Sequence, residues 1–330
     1  MVALGLADLV LILAALAFAW SIGAHYTGAC MGMAYATGGL RRDQALIGMA
    51  ILTAIGAAVA SGKVVGNIGL DLVSSTALSA TSAAAIVGTA FALTTAYNYL
   101  KIPTSTIQIF VFSLVGVALG SGIPIGWRSL EGLVIIWTIA PLAALGIGFL
   151  LTRGLSTWNG ARSKDSSAPG PWVSPAARLL IIMGLAASFA MGANDVANAT
   201  AVFVSTRLTD VLLAGVIGGL ALSAGVLTWG GRLLTTVASD IVRVDPAMAI
   251  AAQTAQAVVI LASVVLLGAF TSMNQALIGG MAGAGLARGK RTIQWKTLRG
   301  ILAGWAIGPA SGVIAGFGVI STLIRIGIHA

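Results

Sequence analysis

Residues 190–204 read AMGANDVANATAVFV, and this stretch decides the fold. One carboxylate, Asp195, and two amides, Asn194 and Asn198, stand inside an otherwise apolar run. Asn194 and Asn198 are four apart, so on a helix they share a face, with Asp195 offset by one position. Gly192, just ahead of them, can break a helix and expose backbone groups. A carboxylate at bilayer depth is costly and lines a cavity, pairs with a partner or binds an ion. The competing reading is an acid capping a helix at the membrane surface. Apolar sequence on both sides of the cluster favours the buried one.

The rest of the chain fits a membrane protein. Charged residues make up 8% of the 330 residues, hydrophobic residues make up 58%, and the mean hydropathy is +1.00. That is too little charge to cover a soluble surface of this size. A single cysteine, Cys30, excludes an internal disulfide framework, and two histidines, His25 and His329, exclude a histidine-rich metal site. The net charge of +9 comes from loops between apolar segments. It therefore points to membrane orientation, not to nucleic acid. The first 20 residues lack a basic start, and apolar sequence continues past them, so they read as a first membrane helix rather than a signal peptide.

Apolar segments run over 3–39 (with a polar interruption near 25–28), 44–62, 80–99, 103–122 and 132–152, then 177–205, 211–230, 246–269, 271–287 and 300–327. The expected fold is all-α, with about ten transmembrane segments. A first membrane repeat covers 1–152, a cytoplasmic linker 153–176 and a second repeat 177–330. The stretch 64–79 is too polar to count as a span. Five segments per half insert the halves in opposite senses. With the N-terminus outside, the inside loops hold 14 of the 18 basic residues, leaving Lys63, Arg128, Arg207 and Arg325 outside. That bias places both termini outside and the linker inside.

The halves also match in order. Gly23-Ala24 falls on Gly192-Ala193 and Gly62-Lys63 on Gly231-Arg232, both at an offset of 169. Thr104-Ser105-x-x-Gln108 falls on Thr271-Ser272-x-x-Gln275, and Gly116 on Gly283, at an offset of 167. Trp137-x-x-x-Pro141 falls on Trp305-x-x-x-Pro309 at an offset of 168. Ordered matches at near-constant offset indicate two inverted repeats. With polar, glycine-interrupted helices at matching places, they are the pattern of secondary transporters whose substrate sits near the midplane.

Each half supplies two polar breaks. The first half has Gly23-Ala24-His25-Tyr26-Thr27-Gly28 and Pro103-Thr104-Ser105-Thr106-Ile107-Gln108; the second has the 190–204 stretch and Thr271-Ser272-Met273-Asn274-Gln275. A hydroxyl cluster followed by an apolar run reads as a helix start inside the membrane. Its N–H groups and hydroxyls are neutral donors suited to an anion, and no Lys or Arg lies in any of the four breaks. Such hydroxyls often bond back to their own helix, and it is the repetition in both halves that marks them as a site.

The eight residues GANDVANA at 192–199 resemble the signature of the inorganic phosphate transporter (PiT) family. The hydroxyl motifs and the Trp-x-x-x-Pro segments extend the resemblance over nearly the whole chain. It implies an inverted-repeat fold with broken and re-entrant helices, symport of an inorganic oxyanion with Na⁺ or H⁺, no organic cofactor, and a homodimer. On that reading Thr104, Ser105, Thr106, Thr271, Ser272, Asn274, Asn194 and Asn198 bind the anion. Asp195 takes the coupling cation, as a Na⁺ ligand if Na⁺ is used, and His25 is a second coupling candidate. The chain departs from the family where its first motif copy has His25-Tyr26 for Asn-Asp and Ala29 for the later Asn. The second hydroxyl motif has Phe270 for Pro and Met273 for Thr. A degenerate first half is similar to the bacterial sulfate permease branch.

Phosphate is the family default and sulfate the alternative. Phosphate keeps a P–OH donor that a carboxylate can accept, whereas sulfate wants donors only. Losing one motif acid moves the site toward sulfate. His25 offers a proton for coupling, a neutral donor, or a packed ring bonded to a carbonyl. A passive anion channel and a non-transporting sensor are competing classes. An enzyme is not expected, because the membrane segments lack paired acids and a Ser-His-Asp set. The expected location is the inner (plasma) membrane.

Overall fold

The computed structural model describes residues 5–36, 38, 40–65, 72, 78–100, 102, 104–159, 175–234, 245–289 and 294–328. His329, Pro103, most of 64–79 and the centre of the expected linker lie outside them. Among the described residues eleven α-helices carry the fold: α1 (Leu6–His25), α2 (Thr27–Ala36), α3 (Arg42–Ala60), α4 (Ala80–Leu100), α5 (Thr106–Ser121), α6 (Trp127–Asn159), α7 (Pro175–Ser205), α8 (Val211–Thr228), α9 (Pro246–Ala262), α10 (Met273–Arg288) and α11 (Trp295–Arg325). Large apolar side chains such as Leu13, Val59, Leu150 and Ile314 face outward, while Asn194, Asp195, Asn198 and Thr271 are fully buried. That inside-out distribution is the one a lipid solvent selects, because polar groups there must find partners within the protein.

Among the described residues eight helices are long and apolar enough to span a membrane, against the expected count of about ten. The other two expected segments form α5 and α10, of 16 residues each. At 1.5 Å per residue such a helix rises about 24 Å, short of the roughly 30 Å hydrocarbon core. Both begin in the interior. Ser105 caps α5 by accepting from Gln108 N at 3.3 Å, and Ser272 caps α10 by accepting from Gln275 N at 3.3 Å. α4 with α5, and α9 with α10, therefore form two hairpins whose tips point into the protein. A π-helical turn over Ser263–Leu267 and Gly268 in the left-handed region (φ 59°) lead α9 into the second tip.

Packing is reciprocal between the halves. α1 lies on α8, and α7 on α3; α5 lies on α11, and α10 on α6. Glycines make these approaches close. A Cβ on Gly23 would collide with the Leu222 carbonyl and one on Gly225 with the Trp20 carbonyl. Likewise Gly192 meets the Thr53 carbonyl and Gly56 the Phe189 carbonyl. Small residues at crossings are how membrane helices gain van der Waals contact without a hydrophobic drive. α6 and α11 each contain a proline, Pro141 and Pro309, which removes an internal hydrogen bond and favours a kink.

Two expectations are corrected here. The 190–204 stretch does not break its helix: α7 runs unbroken through Gly192. The glycine serves helix contact with Thr53 instead. Only the first half breaks, at the single residue Tyr26 between α1 and α2. The expected linker is also shorter at both ends, since 153–159 belong to α6 and 175–176 to α7.

Candidate functional site

Four polar places converge in the core: the α1–α2 break, the Asn194–Asn198 segment of α7, and the two hairpin tips. Asn194 is the main joint. Its Nδ2 donates to the Thr271 carbonyl at 2.8 Å and to Asp195 Oδ2 at 2.9 Å, and its Oδ1 accepts from Thr271 N at 2.9 Å. The side chain thus clamps both backbone groups of the second tip. Asn198 donates Nδ2 to Asp195 Oδ1 at 3.2 Å and leaves its own Oδ1 without a hydrogen-bond partner. The hydroxyls of Tyr26 and Thr106, 2.8 Å apart, face the same carboxylate. Asp195 is fully buried, and among the described residues it has no ion-pair partner. No described Lys or Arg is buried.

The first half repeats this joint with different chemistry. His25 stands at the offset position of Asn194, and its Nε2 lies 3.2 Å from the Thr104 carbonyl. Its Nδ1 bonds Asn98 Oδ1, and Asn98 Nδ2 donates to the Ser21 carbonyl at 3.2 Å. Tyr26 stands at the offset position of Asp195. The tips then touch each other. Asn274 Nδ2 donates to the Thr104 carbonyl at 2.8 Å and lies 3.0 Å from His25 Nε2. Gln275 Nε2 donates to Gln108 Oε1 at 3.3 Å, joining the matched glutamines of the two halves.

Thr104 and Thr271, the matched first hydroxyls of the tips, are fully buried, and neither hydroxyl has a hydrogen-bond partner. They sit beside the N-termini of α5 and α10, where unpaired N–H groups and the helix dipole favour negative charge. Ser105 and Ser272 accept from Gln108 N and Gln275 N and keep an O–H to give. Every expected site residue therefore lies in or beside one polar core, in different postures. Thr104, Thr271 and the two serines have donors to spare, while the Thr106 hydroxyl is engaged with Tyr26 and Asp195. Asn194 and Asn274 spend theirs inside the protein, and Asn198 presents an acceptor.

Four further polar residues belong to this core: Asn98, Gln108, Gln253 and Gln256. Gln253 donates to the Ala29 carbonyl at 3.1 Å and to Gln256 Oε1 at 2.6 Å, and Gln256 donates to the Met273 carbonyl at 3.2 Å. α9 thereby ties α2 to the second tip. The signal available in the sequence was an amide pair at i, i+3 in an apolar helix, which places both on one face. Beside the tips lies a mostly apolar cavity of about 560 Å³. Gln108 and Gln275 lie along it, with Trp137, Trp305, Pro141 and Pro309 among its walls.

A multi-span helical protein with a buried carboxylate and inward-pointing helix N-termini belongs to the class of membrane transporters. Comparison with known proteins narrows this. Residues 22–315 match the model of the Phosphate transporter family, and the chain belongs to that family. Sulfate permease CysP of Bacillus subtilis is 27% identical over 321 residues, covering 96% of this chain and 88% of that protein. Sodium-dependent phosphate transporter 1 of Mus musculus is 29% identical over 149 residues, 42% of this chain and 22% of that protein. A solved structure described as the sodium-dependent phosphate transporter superposes with a TM-score of 0.85 at 18% identity, covering 98% of this chain and 100% of that one, which establishes the shared fold.

Proposed function

We propose that this protein is a cation-coupled symporter of a tetrahedral inorganic oxyanion, with phosphate as the family's default substrate. The observation that carries the reading is the pairing of two unlike features in one core. Asp195 is a fully buried carboxylate with no cationic side chain beside it among the described residues. Thr104 and Thr271 are buried, unpartnered hydroxyls at two helix N-termini. The first calls for a cation and the second for an anion.

In this reading Asp195 holds the coupling cation, and the partnerless Oδ1 of Asn198 is its natural second oxygen ligand. Na⁺ is the first candidate, since the mouse relative and the matching structure are both described as sodium-dependent. Thr104, Ser105, Thr271 and Ser272 donate to the anion. Asn194 and Asn274 shape the site by pinning the tips rather than by touching the substrate. The lysine and arginine asymmetry supports both termini outside, and it survives the hairpins. A hairpin returns the chain to the side it left, as a pair of crossings would, so the loops keep their sides and the halves keep opposite senses.

Sulfate is the second reading, with its own observation. Tyr26, an O–H donor, stands where the offset places the partner of Asp195, and both Asp195 oxygens already accept from amides. A core with its one carboxylate occupied suits an anion that has no proton to give. The test of the coupling assignment is Asp195→Asn in reconstituted vesicles. Cation-driven accumulation is abolished while the variant still purifies as a folded protein; full accumulation would remove Asp195 from the mechanism.

A further inference from the structure

We propose that His25 is a protonatable clasp between the two hairpin tips, held in a single tautomer by Asn98. The transport part of its test rests on the symport reading above; the clasp itself does not.

Asn98 fixes which ring nitrogen of His25 always carries a hydrogen. Its Nδ2 donates to the Ser21 carbonyl at 3.2 Å, with Ser21 Oγ also at 3.2 Å. A carbonyl only accepts, so the amide nitrogen must face Ser21 and Oδ1 must face His25. Oδ1 also only accepts, so His25 Nδ1 carries a hydrogen in either charge state. The variable atom is Nε2.

With Nε2 bare, every group is satisfied. Asn274 Nδ2 has two hydrogens; one goes to Nε2 at 3.0 Å and the other to the Thr104 carbonyl at 2.8 Å. When the Nε2 lone pair takes a proton from a hydronium ion, an N–H bond forms, an O–H bond breaks, and the ring becomes an imidazolium. Nε2–H then donates to the Thr104 carbonyl, 3.2 Å away. The Asn274 amide now faces a donor and must release the ring. Asn274 lies in the first turn of α10 and Thr104 leads into α5. One proton thus exchanges the second tip for the first as the partner of His25.

Few groups interfere. Tyr26 meets the ring edge-on with centroids 4.9 Å apart, and Cys30 follows on α2. Asp195 on α7 reaches this neighbourhood through the hydroxyls of Tyr26 and Thr106. α4 and α10 bring the neutral Asn98 and Asn274, and the first tip brings the Thr104 carbonyl. Asp195 carries the only formal charge among them. His25 is 8% exposed where Asn194 and Asp195 are fully buried. The matching joint in the second half is Asn194, which cannot titrate, so the clasp acts on one half only.

Nitrogen-15 histidine labelling tests this directly, because the chain has two histidines and His25→Asn assigns the signal. The expected spectrum shows the Nδ1–H tautomer when His25 is neutral, converting to the doubly protonated ring as pH falls. An Nε2–H tautomer, or no conversion between about pH 5 and 8, overturns the clasp. Asn98→Leu yields mixed tautomers and serves as the second variant if His25→Asn fails to fold. In vesicles, wild-type uptake falls with rising pH by up to about tenfold per unit, while His25→Asn transports with a flattened profile. A wild-type profile retained by His25→Asn overturns the coupling role. Absence of uptake by the wild type overturns the transport reading, and the spectrum still decides the clasp.

Discussion

Replacing Asn194 with alanine removes three hydrogen bonds at once, and their geometry sets the size of the effect. Two of them hold the backbone of Thr271, and the third supports Asp195. Hydrogen bonds between membrane helices are worth about 0.6–1.7 kcal/mol each by double-mutant cycles, so the two that hold the tip amount to roughly 1.2–3.4 kcal/mol. That corresponds to about an 8- to 300-fold weaker hold on the second tip. The assay is amide hydrogen exchange on the segment 269–276 of the detergent-solubilised protein. Thr271 N–H donates to Asn194 Oδ1, so Asn194→Ala should expose it while the interior of α10 stays protected. Asn194→Asp keeps an acceptor in place and should protect Thr271 better than alanine does. Thr271 exchange that is unchanged in Asn194→Ala would refute the claim that this side chain pins the tip.

Other expectations follow from the same contacts. Thr104→Val and Thr271→Val remove hydroxyls that have no partner in the protein, so thermal stability should hold or rise. Anion affinity, read by titration calorimetry, should drop about 10- to 150-fold for each variant, the worth of one hydrogen bond to a charged group. Lower stability with unchanged affinity would show that these hydroxyls serve the fold. Gly23→Ala puts a methyl group against the Leu222 carbonyl and should destabilise by about 1–3 kcal/mol or more, whereas Gly88→Ala, with nothing within 4 Å, should be neutral or stabilising. Thermal midpoints in detergent compare the two, and equal midpoints would refute the close α1–α8 crossing. Gln256→Leu, which removes the donor to the Met273 carbonyl, should loosen the start of α10 in the same exchange experiment and leave α5 unchanged.

Much of this was legible in the sequence because local chemistry dictated it. Ser105 and Ser272 announced helix starts, and both cap their helices. The buried acid at Asp195 announced a polar core. Contacts across the chain were not legible. The partner of Asn194 lies 77 residues away and that of His25 on α4 lies 73 away, and spacing along one helix carries no information about either. The same limit explains Asn194 and Asn274. Their residue type suggested donors for an anion, but only the fold shows those donors spent on backbone carbonyls and on the Asp195 and His25 side chains. Gly192 misled for a related reason. A glycine in a helix signals either a break or a neighbour that comes close, and the Thr53 carbonyl decides for the second. The span count came out high because apolar length was read as crossing, while α5 and α10 are apolar through burial in protein.

The most direct test of the central claim is uptake of labelled phosphate and labelled sulfate into proteoliposomes. Each would be driven first by a Na⁺ gradient and then by a proton gradient, with Asp195→Asn as the control. The account predicts uphill accumulation of at least one of the two anions, dependent on a cation gradient and lost in the control. Accumulation that ignores both gradients, or that persists in Asp195→Asn, would contradict it.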